Sequence, residues 1–328
     1  TLNISSVGAG AVQLRGAALT GGELIASLPV TVYVSAATPV FQIVGNGISN
    51  GIIDAAGDLI VGTAADTAGR LAAAEWRALG ACDFRLTLTT AVPVTTADVT
   101  GATTIYCSPY KGNQIALFDG TNWVVRASAE FSLALGTLTS GLPYDVFCYD
   151  NATVPTLEFL GWTNATTRAT ALALQNGVLS KTGALTRRYL GTFYTTSTTA
   201  TEDSLAKRFL WNYYNRVVRP MRAVDGTDTW TYQTASWRQA NANTANQLDY
   251  VMGVLEEPIS AEVVGIAASD QGVGSVQMQV GIGLDVTTAN SAQLQPTTIN
   301  MQTSQPNHTR AIYRGYPGIG RHFIAWLE

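Results

Sequence analysis

Short runs of alternating apolar and polar residues cover most of the chain, and this period of two predicts β-strands. In residues 1–50 the runs are "AVQLRG", "LPVTVYVS" and "VFQIVGNG", with turn residues between them. The pattern continues from residue 83 in "FRLTLTT", "TTIYCSPY", "NQIALFDG" and "NWVVRAS", and later in "WTYQTASWRQA", "LDYVMGVLEE" and "AEVVGIAAS". Strands at this spacing favour a sandwich or a barrel over βαβ units.

Two segments predict short helices. The first is "LAAAEWRALGA", which ends near Gly80. The second covers residues 202–215, where Thr201 can cap the helix and Leu205, Phe209 and Tyr213 recur at four-residue spacing. Its dense aromatic residues are equally typical of a strand, so both structures stay open for this second segment.

The stretch "DAAGDLIVGTAADTAGRLA", residues 54–72, keeps neither a helical nor a strand period and has glycines at 57, 62 and 69. We interpret it as a connector of small residues between modules. The polar, low-complexity run "TTSTTATEDS", residues 195–204, predicts a second boundary.

The fold class predicted from these patterns is mainly β, with consecutive antiparallel β-sandwich modules, short helical connectors and a C-terminal jelly-roll-like sandwich. The predicted segments are an N-terminal β-module (1–50), a connector with a short helix (51–81), a middle β-domain (82–198), a linker with a short helix (199–224) and a C-terminal β-sandwich (225–328).

Charged residues make up only 13% of the chain, against about 25% in typical globular proteins. A surface so poor in charge is weakly self-repelling, which favours oligomerisation. The net charge of −4 and the lack of a basic stripe argue against a nucleic-acid partner; the densest basic run is "NRVVRPMR". No run of about 18 apolar residues occurs, so membrane insertion is not expected.

The common catalytic signatures are missing: there is no G-x-S-x-G elbow, zinc-binding H-E-x-x-H or P-loop. The only histidines are His308 and His322, and a metal site would need both beside a carboxylate such as Asp285 or Glu328, which the spacing does not enforce. We therefore predict no catalytic residue, no metal and no cofactor.

The three cysteines, Cys82, Cys107 and Cys148, have no disulfide or metal-binding spacing. Cys107 and Cys148 lie in strand-like runs and are predicted to be small buried hydrophobic residues. Three free thiols indicate assembly in a reducing cytosol.

Several segments carry a resemblance to a known class of proteins. The stretch 54–72 and "GAVQLRGAALTGGELIASLPVTVYVSAATPVFQIVG" resemble connector and β-module segments of tail fibre and other appendage proteins of tailed bacteriophages. "IALFDGTNWVVR", "SGLPYDVFCYDN" and "RRYLGTFYTT" are similar to head- or tail-attached virion proteins of phages and prophages. The resemblance implies a structural virion protein, assembled in the bacterial cytoplasm as a homotrimer and bound to portal, tail, neck or capsid proteins. The resemblance further implies that the β-module 1–50 is virion-proximal and that the C-terminal domain faces the host. The chain lacks a long repetitive shaft, which predicts a short fibre or spike.

For such a subunit we expect attachment to a host surface glycan through the C-terminal domain, because aromatic faces beside amide and guanidinium groups suit sugar rings. The candidate residues are Trp230, Tyr232, Trp237 and Arg238.

Two alternatives stay open. One is a capsid decoration, neck or connector protein with no receptor role. The other is a glycan-cleaving spike with a pair of catalytic carboxylates. The acids available for that pair are Asp145, Asp150, Glu158, Asp225, Asp228, Asp249, Glu256 and Glu257.

Overall fold

The computed structural model describes residues 80–267, 279–294 and 306–328, together with the backbone of eight strands in the first 71 residues. The chain divides into two compact units, Thr1–Ala78 and Leu79–Glu328. In the described residues the structure is strand-rich and its sheets are almost entirely antiparallel, which confirms the predicted mainly β class. The one helical element there is a 3₁₀ turn, Ala240–Ala242. No described helix is long and apolar enough to cross a bilayer.

The first unit contains eight described strands, and the three alternating runs of residues 1–50 contain the third, fifth and sixth of them. The eight strands are β1 (Leu2–Ile4), β2 (Gly8–Gly10), β3 (Val12–Leu14), β4 (Ala17–Ala18), β5 (Thr31–Val34), β6 (Phe41–Val44), β7 (Leu59–Ala64) and β8 (Thr67–Leu71). Four of them form a sheet in the order β4-β3-β6-β5, in which β3 and β6 run parallel.

Residues 54–72, interpreted above as a connector with neither a helical nor a strand period, contain two strands. Strands β7 and β8 pair as an antiparallel hairpin within the stretch. Its β-branched residues Ile60, Val61 and Thr63 favour extended backbone in spite of the glycines. The predicted helix in residues 71–81 falls mainly on residues 72–79, which lie outside the described part.

In the second unit, three groups of strands enclose the first core. The strands are β9 (Phe84–Thr87), β11 (Thr104–Pro109) and β14 (Phe131–Ala134) in one sheet, the hairpin β12 (Gln114–Phe118) and β13 (Trp123–Ala127), and a larger sheet of β15 (Pro143–Asn151), β16 (Val154–Gly161), β17 (Leu172–Gln175), β18 (Val178–Lys181), β19 (Ala184–Tyr194) and β22 (Leu210–Asn212). Side chains such as Phe84, Ile105, Val146 and Phe193 meet in this core and are at most 1% exposed.

A six-stranded sheet crosses the predicted domain boundaries. Its strands are β10 (Val99–Ala102), β20 (Thr201–Asp203), β21 (Lys207–Arg208), β23 (Gln247–Met252), β27 (Gly320–Leu327) and β25 (Gly281–Leu284), in that order. These strands come from the predicted middle domain, linker and C-terminal domain alike. Segments 82–198, 199–224 and 225–328 thus each contribute strands to one sheet, within the compact unit Leu79–Glu328.

A two-stranded ribbon, β24 (Ile259–Ala267) paired with β26 (Asn307–Gly315), covers the second core. That core contains Tyr250, Met252, Ile282, Tyr313 and Ile324. The inner face of the ribbon contributes to this core, and its outer face is exposed.

The helix predicted over residues 202–215 is wrong, and strands β20, β21 and β22 replace it. Ser204 and Lys207 bond each other's backbone groups in a tight turn, with N···O distances of 2.7 and 3.2 Å. The carboxylate of Asp203, only 3% exposed, pairs with Arg208 and Arg219. The turn and this buried ion cluster together stabilise the strands more than a helix would be stabilised, because in a helix Asp203 would interact only with the helix dipole.

A buried polar network ties strand β15 to the residues that follow β23. Asp145 accepts hydrogen bonds from Arg168 Nε at 2.7 Å and from Thr192 Oγ1 at 2.7 Å. Arg168 also donates to the carbonyl of Gly253 and stacks on Trp162, with Cζ 4.5 Å from the ring centroid. The network joins parts of the chain that the sequence assigns to different domains.

Candidate functional site

The segment that carries the glycan-binding candidates is not a strand. Residues 224–238 are irregular, and the first ladder contact after them is the bridge between Gln239 and Leu327. The strand predicted for "WTYQTASWRQA" is therefore wrong. Side-chain anchors, described next, hold this segment against the end of β27.

The carboxylate of Glu328 is the centre of the candidate site. It accepts hydrogen bonds from Trp230 Nε1 at 2.5 Å, from Arg238 Nε at 3.0 Å and from the backbone N–H of Asn241 at 2.9 Å. The backbones of Arg238 and Glu328 also bond each other in both directions. The Trp230 ring meets Trp326 edge to face, with centroids 5.8 Å apart. Carboxylate, guanidinium and indole thus form one fixed cluster.

Tyr232 extends this cluster outward. The guanidinium carbon of Arg238 lies 3.8 Å from the centroid of the Tyr232 ring, which is cation–π geometry. The Tyr232 hydroxyl donates to the carbonyl of Ser236 at 2.5 Å, which closes an exposed loop containing Gln233 and Thr234. Trp230, Tyr232 and Arg238 are all half-buried. The structure therefore brings three of the four predicted residues together.

Trp237, the fourth candidate, packs elsewhere. Its ring lies against Gly281 of β25, where a Cβ would come 2.8 Å from Cζ3 of the indole. A side chain at position 281 would push this ring away, so Trp237 serves to pack the segment onto the sheet.

A second cluster, which the sequence analysis did not single out, orders the loop beside the candidate site. One oxygen of Asp225 accepts hydrogen bonds from the side-chain amides of Asn246 at 2.7 Å, Asn243 at 3.2 Å and Asn241 at 3.3 Å. The backbone N–H of Thr227, with hydrogen bonds from the side chains of Asn246, Thr227 and Asn243, holds the pKa of Asp225 well below its usual range. The signal in the sequence is the repeated asparagine of "NANTANQ", but a carboxylate partner 21 residues away from Asn246 is invisible to a local pattern.

A groove of about 800 Å³ borders the cluster. It is lined by the irregular segment 216–223, by part of β24 and by Trp326, the residue that contacts Trp230. Arginines line it as well: Arg216 pairs with Glu256 and Glu257, whereas Arg222 makes no ion pair among the described residues. The groove thus combines an aromatic end with an exposed guanidinium.

The two histidines lie in different environments. His308 is exposed, and His322 is buried, with Nδ1 2.7 Å from Asp285 Oδ2. Burial alone raises the pKa of Asp285, but the hydrogen bonds from His322 and the Phe323 N–H lower it below its usual range. Within the described residues no group of three or more His, Cys, Asp or Glu side chains is placed to hold a metal ion.

Most of the acids considered for a catalytic pair have partners. Asp145 pairs with Arg168, Asp150 with Arg126, Glu158 with Lys181 and Arg187, Asp249 with Arg321, and Glu256 and Glu257 with Arg216, while Asp225 binds the three amides and Asp228 is exposed.

The cysteine prediction is confirmed. Cys107 and Cys148 are 1% and 0% exposed and belong to the first core. Burial raises the pKa of both thiols, so both are neutral and inert in the folded chain.

Comparisons with models of known protein families, with curated proteins and with solved structures found no match to this chain.

Proposed function

We propose that the chain is a structural virion protein of a tailed bacteriophage or prophage, a subunit of a short tail fibre or spike that assembles as a homotrimer in the bacterial cytoplasm. Its C-terminal part binds a glycan on the host surface, and other surfaces bind neighbouring virion proteins. The proposal draws on the resemblance of its connector and β-module segments to phage appendage proteins.

The observation that carries the glycan-binding role is the cluster of Trp230, Tyr232 and Arg238 around Glu328. Its aromatic rings are held by hydrogen bonds and stacking, so they lose little conformational freedom when a ligand binds. Tyr232 remains half-exposed beside the exposed Gln233 and Thr234, which offers a stacking face next to hydrogen-bonding groups. The aromatic end of the groove continues this surface through Trp326.

Glycan binding is tested with an array of bacterial O-antigen and capsular oligosaccharides, followed by titration of any hit. Tyr232→Ala is expected to weaken binding about tenfold, which corresponds to about 1.4 kcal/mol. Tyr316→Ala is the matched control, because Tyr316 is a tyrosine 61% exposed outside the cluster, and it should bind as the unchanged protein does. Equal affinity of the two variants, or no bound glycan on the array, refutes the receptor role.

The virion role has a separate test. Antibody raised against the purified chain should label a discrete appendage on phage particles in immunogold electron microscopy. Labelling spread over the capsid would favour a decoration protein instead, and particles that contain none of the chain would refute both.

A further inference from the structure

The outer face of the β24–β26 ribbon combines exposed apolar side chains with one ion pair. Val264 and Ile266 on β24 are 59% and 65% exposed. Ile312 of β26 lies opposite Glu262, and Leu294, 52% exposed, bridges to Ile312. Four aliphatic side chains therefore share one face of the ribbon, whose opposite face already packs on the second core.

The ion pair at the middle of this face is open to solvent. Arg310 Nε lies 2.7 Å from Glu262 Oε1, and the two side chains are 51% and 48% exposed. An exposed pair of this kind adds little to the stability of one chain, at most about 1 kcal/mol in general. Its charges can therefore be exchanged for equivalent charges on a neighbour at small cost.

These features suit a second copy of the same chain better than an unrelated partner. On this face Glu262 lies opposite Ile312 and between Arg310 and Arg314, so the carboxylate of one copy can pair with a guanidinium of the next around a ring. The aliphatic residues beside the pair would then leave water together. The low charge of the whole chain, 13%, removes the repulsion that would oppose such contact.

We infer that the outer face of the β24–β26 ribbon, centred on Val264, Ile266 and the Glu262–Arg310 pair, is the surface through which copies of this chain associate. The inference rests on the proposed homotrimer and locates its contact surface. It makes no use of glycan binding or of attachment to the particle.

The test measures the mass of the purified full chain in solution by sedimentation equilibrium. At protein concentrations of about 10 µM an assembled oligomer should persist. The double substitution Val264→Lys and Ile266→Lys buries two unpaired charges in the contact and should raise the dissociation constant by about 100-fold or more. The control double substitution is Val154→Lys and Leu174→Lys, at residues that are 58% and 66% exposed on strands β16 and β17. It should leave the oligomer intact.

Far-UV circular dichroism and thermal melting check that both variants fold. Should the lysine variant misfold, Val264→Thr with Ile266→Thr keeps the β-branched shape and should still weaken association about tenfold. The inference is overturned if the unchanged chain is monomeric, if the ribbon variants keep its mass, or if the control dissociates to the same extent. If the ribbon variants keep the oligomer intact, this inference fails, whereas the glycan and virion experiments can still succeed. A failure of the inference is therefore distinguishable from a failure of the proposed function.

Discussion

Removing the carboxylate of Asp145 should strongly destabilise the second unit. Asp145 is 1% exposed, and its partner Arg168 is 10% exposed. Asp145→Ala deletes the bonds to Arg168 Nε at 2.7 Å and Nη2 at 3.3 Å and leaves a guanidinium buried without a counter-charge. Loss of one partner of a buried pair typically costs about 3–5 kcal/mol. Because Arg168 keeps its bond to the Gly253 carbonyl, we expect the lower end, about 3 kcal/mol.

The matched control for this variant is Glu257→Ala, which removes an acid from an exposed pair. Glu257 is 58% exposed and its partner Arg216 is 30% exposed, so we expect a loss of at most about 1 kcal/mol. The free energy of unfolding is measured at pH 7 by guanidinium denaturation with tryptophan fluorescence. Since the network links β15 to the chain after β23, the Asp145 variant should shift one common transition. A loss below about 1 kcal/mol, or a separate early transition, refutes this account of the buried network.

Three further predictions follow from packing, titration and thiol burial. Gly253→Ala should cost about 1–3 kcal/mol, because a Cβ there overlaps the Tyr189 hydroxyl and lies 2.8 Å from Thr192 Oγ1; Gly226→Ala, with no atom within 4 Å, should be neutral in the same denaturation assay. Burial alone raises the pKa of Glu130, but hydrogen bonds from two hydroxyls and one backbone N–H lower it below its usual range. The ionised Glu130 carboxylate therefore stabilises the folded chain fully above the unfolded pKa of about 4.3, and this stabilisation is lost as the pH falls through the lower folded pKa. The stability of Glu130→Gln should therefore change less between about pH 5 and pH 3 than that of the unchanged chain. The three cysteines should not react with a thiol reagent at pH 8 unless the chain is unfolded, as counted by absorbance.

Each of these has a contrary outcome. Equal stability of the two glycine variants would mean that the chain around position 253 relaxes freely. A parallel pH dependence for the Glu130 variant would place acid sensitivity in other carboxylates. Rapid reaction of a thiol in the folded chain would show that the first core opens on the time scale of the reagent.

Local sequence pattern predicted the strands because each alternating run carries its own information about burial. The runs "NQIALFDG" and "NWVVRAS" contain β12 and β13. The residues between these strands form a tight turn, in which Asp119 accepts bonds from the N–H groups of Thr121 and Asn122 at 2.7 and 2.8 Å. Turn chemistry and period-two burial both act within a few residues, so they can be recognised in the sequence.

Interactions between distant residues determine the features of the fold and of the candidate site that local pattern did not predict. Trp230 and Arg238 bond to Glu328 across separations of 98 and 90 residues, and this anchor replaces the strand that alternation predicted. Likewise, β10 pairs with β20 although roughly a hundred residues separate them, and this pairing merges segments that composition would divide. The Glu328 carboxylate was considered only as a possible metal ligand, because no local feature links it to the aromatic residues.

The oligomeric mass of the purified chain tests most directly the claim that this protein is an assembly subunit built from β-sheets. Native mass spectrometry is predicted to show a species of three times the chain mass of 34.7 kDa. A single species at 34.7 kDa, unchanged as the protein concentration rises, would contradict that claim.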